Sequence, residues 1–442
     1  MYTLNYDNIL TCAYILMWGV TLVWYQYRRN VWDSGSILIL LNQFYSVFAL
    51  VTLNDDVLPF SYKPLEVFPY IYLYSMLMLA LMPMIRQHLV PSDKIEEPQT
   101  RALAIAAIVI IASSVMIVPD MMGNFETGLV KLFTDADAGK DAYMEQTKEQ
   151  ADSGSGISNI ASVMYNSMQD IAVFLFFYFL TLRGRRRWMT VALGFSFVIS
   201  FLSPIMNGQR TGTINSLLLA AGSYMLFKQY LPALVNKAVR IVGTVMIVLI
   251  MLPVAAVTVS RFDGRGGGGV ASFLYWYIGQ APLYFNNHCL DAGGTRNGER
   301  ILNLFIRAVN PDTPKNFVER RDKYHNLEID DHLFTTFVGD FCIDFGPIAA
   351  TVIFIVFYTW ATRQIRPRDG TIKMHQLFLV FFTMAVYIQG NMYLFSYADT
   401  GNIRLITMAL FYSYLRYHEK LLERFPLTIE EEQDTDNNIK TT

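Results

Sequence analysis

The stretch VASFLYWYIGQAPLYFNN, residues 270–287, carries no charge and is apolar enough to compete as a membrane span. Its placement decides the fold, because a crossing there would invert everything that follows. The segment TRQIRPRDGTIK at 362–373 would then face outward with Arg363, Arg366, Arg368 and Lys373, against the tendency of lysine and arginine to collect in cytoplasmic loops. Residues 270–287 are therefore expected to stay on the outer side as an interfacial or re-entrant helix, broken near Gly279 and Pro282. Tyr275, Trp276, Tyr277 and Tyr284 suit the headgroup level.

The remainder of the chain has the same character. Of 442 residues, 53% are hydrophobic, 14% aromatic and only 16% charged, with a mean hydropathy of +0.29, which is far from the balance of a soluble domain. Runs near the ~20 residues that cross hydrocarbon fall at about 8–27, 35–53, 67–85, 102–119, 169–182, 189–206, 212–228, 241–259, 345–361, 376–396 and 401–415, eleven in all. The fifth and the last are short and are expected to extend into their flanks. With the N-terminus outside, the inner segments hold twenty of the 35 lysines and arginines, and the short outer turns hold only Lys63, Arg210 and Arg404. The others lie in two long outer loops, about 120–168 and about 260–344, and long loops translocate largely regardless of charge.

The expected architecture is an all-α polytopic membrane protein of about eleven transmembrane helices. A single transmembrane domain covers 1–425, with the larger outer loop between helices 8 and 9, and a polar cytoplasmic tail covers 426–442. The first run is bounded by Arg28 and Arg29 rather than by a small-residue cleavage site, so it reads as a retained span. A net charge of −2 gives no hint of nucleic-acid binding. Three cysteines without CxxC spacing exclude a disulfide framework or a zinc cluster, and Cys289 and Cys342 are expected to be free thiols.

Reactive side chains concentrate in the second outer loop, which carries His288, His325 and His332, nine basic residues and EIDDHL at 328–333. RFDGRGGGG at 261–269 lacks the lysine and Ser/Thr of a phosphate loop, and its plain reading is a hinge. Two adjacent carboxylates and one histidine, Asp330, Asp331 and His332, do not make a recognisable metal site without more ligands. One such group near the membrane surface suffices for a general base; capping and solvating the loop is the alternative.

In FTTFVGDFCIDFGPIAATVIF at 334–354, Asp340 and Asp344 are four apart and would share a helix face. They repel unless a cation or proton separates them, so either an arginine lies opposite or one carboxylate, Asp344 in particular, starts the next helix. Arg210 and Arg404 stand beside short outer turns. Snorkelling explains both, yet they would reach one outer cavity if the seventh and eleventh helices were neighbours, and a guanidinium fork suits phosphate.

Three features resemble the bacterial oligosaccharide repeat-unit polymerases, the Wzy-type O-antigen and capsule polymerases. They are the NGQRTGTINSLLLAAG turn (207–222), a large arginine-rich outer loop late in the chain, and TTFVGDFCIDFGPIAA (335–350) leading into a span. The resemblance implies a cofactor-free glycosyltransferase of the bacterial inner membrane, with its N-terminus outside and its C-terminus cytoplasmic. It would join polyprenyl-diphosphate-linked oligosaccharides on the outer face, with polyprenyl diphosphate leaving and a chain-length regulator as a further partner. It implies Arg210, Arg261, Arg265 and Arg404 on the diphosphates, and Asp331 or His332, then Asp340, as the base. O-antigen ligases share the plan, and a lipid-linked glycan flippase is the alternative from another class.

Overall fold

Residues 374–390, MHQLFLVFFTMAVYIQG, form a helix in which every side chain but Phe382 is buried. A helix that is apolar all round belongs at the centre of a bundle, and this one packs against helices on several sides. The computed structural model describes residues 5–424 apart from 56, 58–61, 91, 97–102, 120–156, 183–186, 207–209, 263–268, 316, 330–332 and 392–397.

Among the described residues the helices in chain order are α1 (Tyr6–Arg29), α2 (Ser34–Leu53) and α3 (Val67–Leu89), α4 (Leu103–Pro119), α5 (Ile157–Thr181), α6 (Arg187–Met206), α7 (Arg210–Phe227) and α8 (Ala233–Phe262). Then follow α9 (Val270–Tyr284), α10 (Asn303–Val309), α11 (Phe317–Lys323), α12 (Thr336–Phe345), α13 (Pro347–Gln364), α14 (Met374–Gly390) and α15 (Ala398–Arg424). Two-residue strands, β1 (Lys94–Ile95) and β2 (Thr371–Ile372), pair in parallel. The chain is thus a helical protein, and six of its helices are long and apolar enough to cross a membrane. The described part of each of the eleven apolar runs falls largely on a helix.

Around α14 stand α3, α5, α7, α13 and α15. Close approach needs small residues: a Cβ on Gly390 would lie 2.7 Å from the Phe337 ring, and one on Gly222 2.9 Å from Met384 Sδ. Phe174 stacks edge-on against Phe378 at 5.0 Å, and Asn42 donates to the Tyr387 hydroxyl at 2.6 Å. Such an interhelical hydrogen bond adds about 0.6 kcal/mol in a bilayer, so packing carries most of the stability. Helix α8 lies at the periphery, with little of its apolar stretch buried.

The bundle has two ends. At the first, the Leu65 N–H donates to Asp7, Asn8 pairs with Asn54, and Asn402 donates to the Ile301 carbonyl. At the opposite end, Ser34 bonds His88, Ser92 bonds Tyr230, Arg86 donates to the Ile365 carbonyl, and β1 meets β2. Among the described residues, Ser34, 86–95, Tyr230 and 365–372 therefore share one end.

Helix α9 crosses the C-terminal third of α2 at the first end. Thr52 donates to the Tyr275 carbonyl at 2.7 Å, and the Phe48 and Tyr275 rings lie 5.8 Å apart. The expected break at Gly279 and Pro282 does not occur: the helix runs through both to Tyr284 and widens into a π turn, Phe285–Cys289. Gly279 serves the crossing instead, since a Cβ there would overlap the Phe48 carbonyl. Pro282 forfeits one backbone bond, and the wider turn begins three residues later.

That turn presents two amides that act like a strand. Asn286 accepts from the Glu66 N–H and donates to its carbonyl, and Asn287 does the same with Lys63. Helix α5 begins at Ile157, so the short fifth run extends into its flank as expected, and by about three turns.

Replacement of Gly279 by Ala should destabilise the protein by roughly 1–3 kcal/mol through overpacking. Gly243→Ala, where nothing lies within 4 Å of the added Cβ, should not. Thermal unfolding in detergent of the two variants side by side checks the crossing.

Candidate functional site

Asp340 and Asp344 lie on α12, one turn apart and fully buried, and the sequence left open what separates their charges. Arginines do. Arg296 Nε lies 2.7 Å from Asp344 Oδ1 and its Nη2 3.6 Å from Asp340 Oδ1, while Arg300 Nη1 lies 3.2 Å from Asp340 Oδ1. The four residues are at most 5% exposed, and their charges sum to zero. The alternative role for Asp344, starting the next helix, is not what the structure shows: Gly346, at φ 81°, precedes α13, and Pro347 opens it. Asp344 instead accepts the backbone N–H groups of Arg300 and Ile301 at 3.2 and 2.8 Å. Burial pushes its carboxyl up, and the Arg296 guanidinium opposes that shift.

The same helix end fixes the loop backbone. Carbonyls in the last turn of a helix lack intrahelical partners, and those of Ile343 and Asp344 accept from the N–H groups of Arg296 and Gly298 at 3.0 and 3.1 Å. Asn402 on α15 accepts from the Leu304 N–H at 3.0 Å while donating to Ile301. Residues 296–304 are thereby held between α12 and α15.

Above this platform lies a cleft of about 370 Å³, lined by Arg296, Arg320, Arg321, Tyr324, His325 and Glu328 among others. Arg320 is buried, and Arg321 and His325 are exposed. Tyr324 donates to the Arg296 carbonyl at 3.1 Å; burial and then the Glu299 carboxylate raise its pKa. His325 Nδ1 lies 2.8 Å from the Asp322 carbonyl oxygen. A carbonyl only accepts, so Nδ1 carries the proton and Nε2 of the neutral ring keeps its lone pair. Guanidinium groups beside a ring nitrogen able to accept a proton suit a reaction in which an anion departs and a hydroxyl is deprotonated.

One wall of the cleft is Glu328, backed by a lysine and a histidine. Glu328 meets Lys63 Nζ at 2.5 Å and His288 Nδ1 at 3.5 Å. The lysine, by hydrogen bond and charge, holds the Glu328 carboxyl below its usual range. Burial, then Lys63, lowers the His288 pKa.

Of the site residues expected from the sequence, Asp340 is part of the platform beneath the cleft. Arg404 is engaged elsewhere: it forms a bidentate pair with Asp170 of α5, Nε to Oδ2 at 2.6 Å, and Gln389 approaches the same carboxylate at 3.4 Å. Arg210 opens α7 and Arg261 ends α8 in the sequence RF, but their side chains lie outside the described residues, as do Arg265, Asp331 and His332 altogether. The condition under which Arg210 and Arg404 would share a cavity, a close seventh and eleventh span, is not met by the main contacts: α7 and α15 each pack against α5 and α14. Cys289 and Cys342 are buried free thiols.

Sequence reasoning passed over Arg296, Arg300, Arg320 and Arg321 as individuals. A signal was present, since the four-residue interval of Arg296 and Arg300 matches that of Asp340 and Asp344. No protein-family model, curated protein or solved structure matches the chain, so the site is interpreted from its own chemistry.

Asp344→Ala should cost about 3–5 kcal/mol, because it strands the buried Arg296 charge, and equilibrium unfolding in detergent measures it. Acidity should also loosen the wall. The unfolded His288 ring takes up a proton below about pH 6.5 that the folded ring refuses, so stability falls with pH there. The depressed Glu328 contributes stability that is present above its unfolded pKa and is lost at still lower pH. The thermal midpoint should drop between pH 7.5 and 5.5, and His288→Gln should flatten that slope.

Proposed function

We propose that the chain is a membrane glycosyltransferase that polymerises polyprenyl-diphosphate-linked oligosaccharide repeat units on the outer face of a bacterial inner membrane. In this reading it makes eleven crossings, with the N-terminus and the cleft outside and the C-terminus in the cytoplasm. The observation that carries it is the cleft in which Arg296, Arg320 and Arg321 stand beside His325, at the end where the sequence is rich in aromatic residues and poor in short cationic loops. The resemblance noted in the sequence points the same way.

In the reaction, an acceptor hydroxyl oxygen forms a bond to the sugar C1 of a second lipid-linked unit. The C1–O bond to the diphosphate breaks, its electron pair stays on the departing oxygen, and the hydroxyl proton passes to the base. The arginines meet the charge that grows on the diphosphate, and His325 Nε2 takes the proton. The diphosphate role expected of Arg210, Arg261, Arg265 and Arg404 passes first to Arg320 and Arg321, because these line a cleft, whereas Arg404 already holds Asp170 and Arg296 already holds Asp344. The base role passes from Asp331, His332 or Asp340 to His325. The bilayer and a chain-length regulator are the remaining partners.

A flippase is the second reading, and the Asp170–Arg404 pair between α5 and α15 is the observation that favours it, since ionisable groups among spans often mark a transport path. Deleting the gene and separating surface polysaccharide on a gel discriminates. A polymerase predicts single capped repeat units in place of the ladder, a ligase predicts polymer left on the lipid carrier, and a flippase predicts units stranded inside. Complementation with Arg321→Ala should lower chain growth about tenfold or more, the loss of one charge-assisted contact of ~1.5–3 kcal/mol. His325→Ala should lower it about a hundredfold. A wild-type ladder from both variants at normal protein level would contradict the assignment.

A further inference from the structure

A second hollow opens at the same end, a groove of about 450 Å³ bounded by the start of α3, the π turn and the start of α13. Its lining includes Glu66, Phe68, Tyr72, Asn287, Asp291 and Ile348, and none of the described residues that line it is a lysine or arginine. Both carboxylates are exposed. The Phe68 and Tyr72 rings stand 6.2 Å apart, centre to centre, and Phe68 and Ile348 are 64% and 82% exposed, which puts an apolar lip on the outside of the bundle.

Groove and cleft lie back to back. Asn287 and Asp291 face the groove, Glu328 faces the cleft, and the wall between them is one residue layer thick: His288 touches Glu328 at 3.5 Å, and the Glu328 N–H donates to the Ala292 carbonyl at 3.1 Å. The cleft sets Arg320 and Arg321 beside Asp322 and Glu328, whereas the charged side chains among the described lining of the groove are carboxylates alone. Carboxylates without a cation repel a diphosphate, yet they accept strongly from hydroxyl groups, and aromatic faces offer area to the apolar face of a sugar ring.

We propose that this groove binds the acceptor glycan through the hydroxyl groups of its terminal sugars, while the cationic cleft takes the donor's diphosphate. The proposal rests on the glycosyltransferase reading above. It explains how one protein can hold two lipid-linked substrates of the same kind without confusing them: the end of the acceptor that reacts bears no phosphate, and the acidic groove refuses the end that does. The lipid anchor of the acceptor stays in the bilayer beside the apolar lip.

The test uses full-length protein in detergent and two probes. One is the free oligosaccharide released by mild acid from the cells' own lipid-linked units, which carries neither lipid nor phosphate; the other is inorganic pyrophosphate. The double variant Glu66→Gln/Asp291→Asn should bind the oligosaccharide about tenfold more weakly and bind pyrophosphate as the wild type does, and Arg321→Ala should show the reverse. Phe68→Ala, at a position 64% exposed, should also weaken only the oligosaccharide. Unchanged oligosaccharide affinity in both groove variants overturns the groove. Chain growth by the double variant with an unaltered acceptor KM also overturns it while leaving the enzyme reading intact. Sugar binding at the groove in a wild-type protein that extends no chain overturns the enzyme reading, and the acceptor role with it.

Discussion

The ion pair between Arg296 and Asp344, 2.7 Å long and shut off from solvent, is the contact on which the arrangement at the loop end depends. Removing two charges from water costs several kcal/mol each, so such a pair persists only where further bonds satisfy it. Here the second carboxylate oxygen of Asp344 takes two backbone N–H groups, and Arg300 with Asp340 balances the remaining charge. The net gain in stability over an apolar core is small by that reasoning; the gain is in register. The four-residue spacing on the loop can meet the four-residue spacing on α12 in one alignment, and this sets residues 296–304 against the bundle.

Position follows from that alignment: Arg296 belongs to the buried quartet, and its carbonyl accepts from Tyr324 in the lining of the cleft. Lys323 is tied to Glu299, 2.6 Å away, which anchors α11 and hence Arg320 and Arg321 over the same platform. On the far side of the Glu328 wall, the amides of Asn286 and Asn287 fix the segment at 63–66. The arginine-bearing cleft and the acidic groove are thus both shaped by a single loop pinned at three places.

The bundle was legible in the sequence because burial in lipid and charge placement act on every residue of a span. The described part of each apolar run lies largely on a helix, and six of those helices are long and apolar enough to cross a membrane. The site was legible only in part. Asp340 and Asp344 announced an arginine opposite, because like carboxylates one turn apart cannot stay charged alone, but nothing local chose Arg296 and Arg300 from nine basic residues in the loop. Arg404 pointed to a ligand and proved to be half of a pair, since Asp170 lies 234 positions away in the chain and α5 starts earlier than its apolar run. Gly279 and Pro282 read as breakers because local propensity ignores the partner helix; contact with α2 made the glycine a crossing point.

Reconstitution tests the central claim most directly. The purified chain is placed in lipid vesicles with lipid-linked repeat units and no nucleotide, and the length of the lipid-linked glycan is followed over time. The expected result is glycans that lengthen by whole repeats, with one polyprenyl diphosphate released per linkage and the release lowered about tenfold in an Arg321→Ala protein. Glycans that stay at one repeat while crossing from one leaflet to the other would contradict it.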